Sequence, residues 1–138
     1  MRVNELAKKL SCTPDTVRYY TRLKLVSPIK NNNGYKHYSV IDQNRLRFIL
    51  SARQLGFSVS DIEKLLEQAD TGKATCQLAR SIIEDRLKET EKLFTETLML
   101  RERMLSAIED WKKKPDQAPT GTMICHLIES ATNTSLNE

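Results

Sequence analysis

The chain has 138 residues, 39% of them apolar, and a formal net charge of +4, which suits one small domain with an extension. It holds no run of 18 apolar residues that could span a bilayer, and its amphipathic start, MRVNELAKKL, lacks the apolar core of a secretory signal. The charge is split: residues 1–60 carry 11 Lys and Arg against three acids, and residues 61–138 carry 11 against 15, so only the first part suits a polyanion.

Val3, Leu6, Ala7 and Leu10 recur at helical spacing and predict a short helix over 2–10. Ser11-Cys12 is the turn. Thr13 is the expected N-cap and Pro14 the first helical residue of a second helix that runs to about Leu23. Val17, Tyr20 and Leu23 should face inward, leaving Asp15, Thr16, Arg18, Tyr19 and Arg22 outside. Two short helices joined by a tight turn make a helix-turn-helix, whose second helix enters the major groove of DNA. There Arg18 can fork onto a guanine edge or a phosphate, and Thr16 and Tyr19 can hydrogen-bond to phosphate oxygens.

The run Asn31-Asn-Asn-Gly34 predicts a hairpin turn between Val26–Lys30 and Tyr35–Tyr38. A hairpin directly after a helix-turn-helix is a wing. Tyr35, Lys36 and Tyr38, with Lys30, are its candidate DNA contacts, although one face must be buried and either tyrosine can serve there. Ser39 with Asp42 forms a capping box for a third helix, with Leu46, Ile49, Leu50 and Leu55 inward and Gly56 at its end. Arg45, Arg47 and Arg53 would add backbone contacts. Ser58 or Ser60 starts a fourth helix that buries Val59, Ile62, Leu65 and Leu66.

Residues 75–111 contain no Gly or Pro, and Leu78, Ile82, Ile83, Leu87, Phe94, Leu98, Leu105, Ile108 and Trp111 form an apolar stripe. Thr90, Thr97 and Arg101 interrupt it, so it is no strong leucine zipper. The helix would be roughly 50 Å long, more than this chain's own core can cover. A second copy is the simplest partner, and two heads would read a pseudo-palindrome. The alternative is a helix folded back on the head. Three cysteines, Cys12, Cys76 and Cys125, are far apart and odd in number, which argues against a disulfide framework and for a reducing cytoplasm. Enzymatic motifs are missing: there is no nucleophile elbow, phosphate loop or zinc-protease helix, and His37 and His126 lie in the wing and a late loop.

Taken together, the opening NELAKKL, the helix and exit TPDTVRYYTRLKLVSP, the wing NGYKHYS and the later QLGFSVSDIEKLL resemble the MerR family of bacterial transcription regulators, in order and spacing, over residues 1–66. The resemblance implies a mainly α protein. A winged helix-turn-helix domain would occupy 1–70, an antiparallel coiled-coil dimerisation helix 75–111, an effector loop and short helix 112–130, and a disordered tail 131–138. It implies a homodimer on promoter DNA. Inducer binding would untwist and bend a promoter whose two polymerase-binding elements are too far apart, so that RNA polymerase engages both. Lys36 stands where the family usually has arginine, which keeps the charge and loses the bidentate fork.

In metal-sensing members one thiolate comes from the start of the long helix and others from the loop after the partner's long helix. Cys76 matches the first position and Cys125 the last, while the cysteine expected near Trp111 and Lys112 is missing. Two thiolates suffice for linear Cu(I); zinc, cadmium, lead or mercury would need more donors, for which His126 and Asp116 are at hand. Lys112 to Lys114 would repel a cation unless they point away. Three other readings stay open. The cysteines can be ordinary packing residues of a member whose metal site has decayed, or they can sense redox or electrophile stress. The chain can also be a helical interaction protein whose basic head binds an acidic protein.

Overall fold

A computed structural model describes residues 1–136. The elements in chain order are α1 (Val3–Lys9), α2 (Pro14–Arg22), β1 (Ile29–Lys30), β2 (Lys36–His37), α3 (Val40–Gln54), α4 (Val59–Asp70), α5 (Cys76–Trp111) and α6 (His126–Leu136). They form two compact units, Met1–Lys88 and the described residues from Glu89 onward.

The first unit is a helical head around one apolar core. Leu6, Val17, Leu46, Ile49 and Ile62 are fully enclosed, and burying side chains of this size stabilises by about 1.5–3 kcal/mol each. The turn between α1 and α2 closes by Cys12 N–H on Ala7 O at 2.9 Å, with Ser11 in the left-handed region. Thr13 caps α2 by accepting the Thr16 N–H at 3.2 Å, with Pro14 in the first turn. Val17 and Tyr20 face the core as expected, but Leu23 is exposed. The helix ends at Arg22, and Lys24 in the left-handed region swings the chain so that Leu25 and Val26 fill the place instead.

β1 and β2 pair antiparallel, with Ile29 opposite His37 and Lys30 opposite Lys36. Asn31 closes the tip: its carbonyl accepts the Gly34 N–H at 3.0 Å, and its side-chain oxygen accepts from Asn33 and Tyr35 N–H. Beyond β2, Tyr38 turns into the core at 1% exposure. Thr21 already donates its hydroxyl to Val17 O, so Tyr38 must donate to the Thr21 oxygen, 2.8 Å away.

α3 begins with the expected capping box, Ser39 with Asp42. The Asp42 carboxylate is buried and accepts the Ser39 N–H, the Ser39 hydroxyl and, from the segment after α2, the Ser27 N–H at 3.0 Å. Next to it, the Gln43 carbonyl oxygen accepts from Lys9 Nζ at 3.0 Å, which ties α1 to α3. Leu46 and Ile49 are buried and Leu50 half-buried, but Leu55 is 61% exposed, and Ala52 and Phe57 pack instead. Gly56, at φ +87, ends the helix and reverses the chain so that Phe57 rather than Leu55 points back.

Ser58, not Ser60, caps α4 through a second capping box with Asp61. Ile62, Leu65 and Leu66 are buried and Val59 half-buried. The start of α5 belongs to the head: Ile82 is buried there, Leu78 and Ala79 pack beside it, and Arg86 Nε lies 3.3 Å from Asp61 Oδ2. Burial alone would raise the Asp61 carboxyl. The hydrogen bonds with Ser58 and the charges of Arg86 and Lys64 outweigh it, and the net pKa lies below the ordinary 3.8.

α5 has 36 residues, ~54 Å at 1.5 Å per residue, close to the extent expected from sequence. In the second unit α6 opens beneath Glu129, whose Oε2 accepts the N–H groups of Ile124 and Cys125 at 3.0 and 2.8 Å. Of the stretch read as a disordered tail, residues 131–136 continue this helix, and residues 137 and 138 lie outside the described residues. No Gly or Pro follows Gly121, so a capped helix can propagate there.

Replacing Asp42 by alanine leaves three buried donors unmet and should cost about 2–4 kcal/mol, read as a lowered melting temperature of the head. Asp61 has a pH signature. Its depressed pKa contributes stability at neutral pH that is lost as pH falls through the folded value. Asp61→Asn should therefore be the less stable protein at pH 7, and the gap should close below about pH 4. Thermal melts across that range check it, and a constant gap would contradict it.

Candidate nucleic-acid interface and effector end

Because Val17 and Tyr20 anchor one side of α2, helical geometry sends Asp15, Arg18, Tyr19 and Arg22 to solvent, with Thr16 half-buried. Arg18 Nη1 lies 3.0 Å from Asp15 Oδ1, with side chains 51% and 94% exposed. An ion pair so open contributes little, and a phosphate can replace it. Tyr19 is 43% exposed and meets Tyr20 edge to face at 5.0 Å. The Thr16 hydroxyl lies 2.9 Å from that of Thr13 at the helix start.

The wing is exposed on both strands. Its register sets Lys30 directly across from Lys36. Like charges opposed on a hairpin repel. An anion between them removes the penalty. Tyr35 is 53% exposed, whereas Tyr38, expected on the same surface, is a core residue with its hydroxyl engaged. Arg2, which the sequence reading does not single out, places its guanidinium 4.1 Å from the Tyr35 ring centroid.

The α3 arginines divide. Arg45 donates to Leu25 O and to Asp70, both at 2.8 Å, so it braces the head internally and is only half-buried. Arg47 donates to Asn44 at the surface. Arg53 is exposed and donates one N–H to Phe57 O at 2.8 Å, which aims the rest of its guanidinium outward from the corner after α3.

Farther along, Cys76 is the first residue of α5 and is exposed. Cys125 is half-buried at the start of α6. His126 Nε2 lies 2.8 Å from Pro115 O. A carbonyl only accepts, so Nε2 carries the hydrogen, and in the neutral ring Nδ1 keeps a lone pair. A ring nitrogen held by a carbonyl in this way is the usual arrangement behind a ligating histidine. Lys112 and Lys114 turn back onto Glu109 and Asp110 at 3.0 and 2.9 Å, which offsets their charge near the loop. Trp111 stands where a cysteine is expected, and its indole N–H is enclosed with no partner among the described residues. A donor-only group cannot replace a thiolate ligand. Cys12 packs on the head core, and burial pushes its thiol up, away from the thiolate a metal needs. Among the described residues no three of His, Cys, Asp and Glu converge within the chain. Cys125 and His126 are neighbours that supply two donors, S and N.

Comparison with known proteins agrees with this arrangement. The model of the MerR helix-turn-helix family of regulatory proteins matches residues 1–69, and a second, described as MerR, DNA binding, matches residues 43–107. The HTH-type transcriptional regulator ZntR of Escherichia coli K12 is 39% identical over 111 residues, covering 79% of this chain and 78% of that protein. The mercuric resistance operon regulatory protein of Bacillus cereus is 40% identical over 77 residues, 55% of this chain and 58% of that one. Among solved structures, the transcription regulator PbrR691 from Ralstonia metallidurans CH34 in complex with lead(II) has a similar fold, with a TM-score of 0.68 at 23% identity over 94% of this chain and 98% of that one. No helix among the described residues is long and apolar enough to cross a membrane. With its capped recognition helix, its wing and its long helix, the chain belongs to the MerR family of helix-turn-helix DNA-binding transcription regulators.

Proposed function

We propose that this regulator works as a homodimer that activates transcription by distorting promoter DNA in response to a thiophilic metal ion. The observation that carries the DNA side is the cation surface shared by α2 and the wing, in which Lys30 opposes Lys36 across the hairpin. Arg18, Tyr19 and Arg22, with Thr16 at the helix start, meet the major groove and its flanking phosphates. Tyr35 and Lys36 grip the backbone beside it, and Arg53 adds a phosphate contact from the α3 corner. Tyr38 is left out of this set because it is buried.

Dimerisation rests on α5. Leu87, Phe94, Leu98, Leu105 and Ile108 are 43–65% exposed along it, an apolar stripe that a second copy running antiparallel would cover. Two heads on one promoter then have a defined separation. A change in their relative angle bends the intervening DNA and brings RNA polymerase into register with both promoter elements.

For the inducer, the donors fit a thiophilic ion. Cys125 and His126 Nδ1 of one copy, completed by Cys76 of the other, make an S, S, N set that suits zinc, cadmium, lead or mercury, while the two thiolates alone suit Cu(I). The printed descriptions of two relatives, one of mercuric resistance and one bound to lead(II), favour the same chemistry. When bound, the ion supplies a crosslink between deprotonated side chains that protons otherwise hold apart.

Three measurements test this reading. The protein should select a pseudo-palindromic duplex from a random pool and bind it with a steep salt dependence; binding without sequence preference would sink it. On that duplex, Arg22→Ala should lower the slope of log K against log salt by about 0.9, whereas Tyr38→Phe should leave the slope alone and destabilise the head by about 1 kcal/mol. Cys76→Ser, Cys125→Ser and His126→Ala should each lower the affinity of the reduced dimer for its preferred ion by about 10-fold or more in a competition titration. Unchanged affinity in both cysteine variants across zinc, cadmium, lead, mercury and Cu(I) rules out these thiols.

A further inference from the structure

Between the start of α1, the recognition helix and the wing lies a cleft of about 250 Å³ lined by Arg2, Val3, Asn4, Arg18, Tyr35 and Lys36. At ~30 Å³ per water it has room for roughly eight waters, or for a phosphodiester with water around it. Three of its six residues are cationic. The carboxylate recorded on any of them is Asp15, against Arg18, and its side chain is 94% exposed. Arg2 lies over the Tyr35 ring at 4.1 Å, a distance at which a guanidinium is attracted to the aromatic face. The backbone around it is fixed as well: Met1 O accepts the Tyr38 N–H at 2.7 Å, just past β2, and the Arg2 N–H reaches Glu5 Oε1 at 3.4 Å.

From this geometry we propose that Arg2 is a DNA-positioning residue. Stacked on Tyr35, it pins the wing against α2 and completes, with Arg18 and Lys36, a cradle for one backbone phosphate. The stack holds the guanidinium flat, so its N–H edge faces the cleft while its face stays on the ring. Three positive charges converging on one cleft repel one another until an anion enters, so the cradle is complete only on DNA. Arg2 and Tyr35 are 33 positions apart in the chain, and their contact converts a loosely hinged hairpin into an arm with a set angle. One phosphate fixed between groove and wing sets the register in which α2 meets the bases, so Arg2 influences sequence reading without touching a base.

The inference rests on the DNA-binding reading and is tested on the duplex that the unsubstituted protein selects from a random pool. Fluorescence anisotropy across a salt series reads affinity and slope together. Arg2→Ala and Arg2→Gln should each weaken binding about tenfold at moderate salt and lower the slope by about 0.9, the loss of one phosphate contact. Arg2→Lys should keep the slope and lose affinity, because the charge survives and the flat stack does not. Tyr35→Leu should do the same. A purely structural Arg2 would change affinity and leave the slope where it was, so an unchanged slope in both Arg2→Ala and Arg2→Gln overturns the proposal. A Tyr35→Leu protein that binds at full strength overturns the stacking role. If the unsubstituted protein selects no sequence, the DNA-binding reading itself fails; if it selects one and Arg2 leaves the slope untouched, only this inference does.

Discussion

A buried carboxylate holds the head in shape. Asp42 accepts from Ser39 twice and from Ser27 once, so a single side chain secures the start of α3 and the strand of chain that leaves α2 for the wing. Hydrogen bonds to an ionised oxygen in a low-dielectric setting are stronger than those between neutral groups, and each donor here would otherwise be unmet. Gln43, its neighbour, reaches Lys9 at the end of α1. Two adjacent residues on the first turn of α3 thus connect α1, the exit of α2 and the wing root. The wing's angle to the recognition helix is a property of this polar node as much as of the apolar core beneath it.

Around that node the arginines are sorted by what their other donors do. Arg45 is committed to Leu25 O and Asp70 and serves the fold. Arg53 gives one N–H to Phe57 O and keeps the rest outward, so its side chain is already oriented before any ligand arrives. Arg18 is held only by an exposed acid, which a phosphate can displace. The result is a graded surface, from structural cation to ready contact, on a head whose first 60 residues carry a charge of +8.

Most of the head was legible in the sequence because its signals are local. The Thr13-Pro14 start, the Ser39/Asp42 box and the Asn31–Gly34 turn each use neighbours a few residues apart, and all three are in place. The misses come where the chain changes direction. Leu23 and Leu55 fit the helical period, yet each falls at a helix end, where Lys24 and Gly56 take positive φ and hand the inward position to Leu25 and Phe57. Tyr38 alternates correctly on paper, but β2 ends at His37, and period two stops with it. Arg2 carried no signal at all, because its partner is distant in sequence and close only after folding. For the effector end, sequence found the two cysteines and the histidine but not the Pro115 carbonyl that sets the ring's tautomer, a contact eleven residues long.

The wing tip closes on itself. Asn31 satisfies Asn33, Gly34 and Tyr35 from its own carbonyl and side chain, and a Cβ built at Gly34 would meet nothing within 4 Å. Nothing in the core leans on residues 32 and 33, so their side chains can vary without renegotiating the fold. Such a tip is the cheapest place for a lineage of regulators to acquire new operators: recognition can drift at the fingertip while the wrist stays as it is.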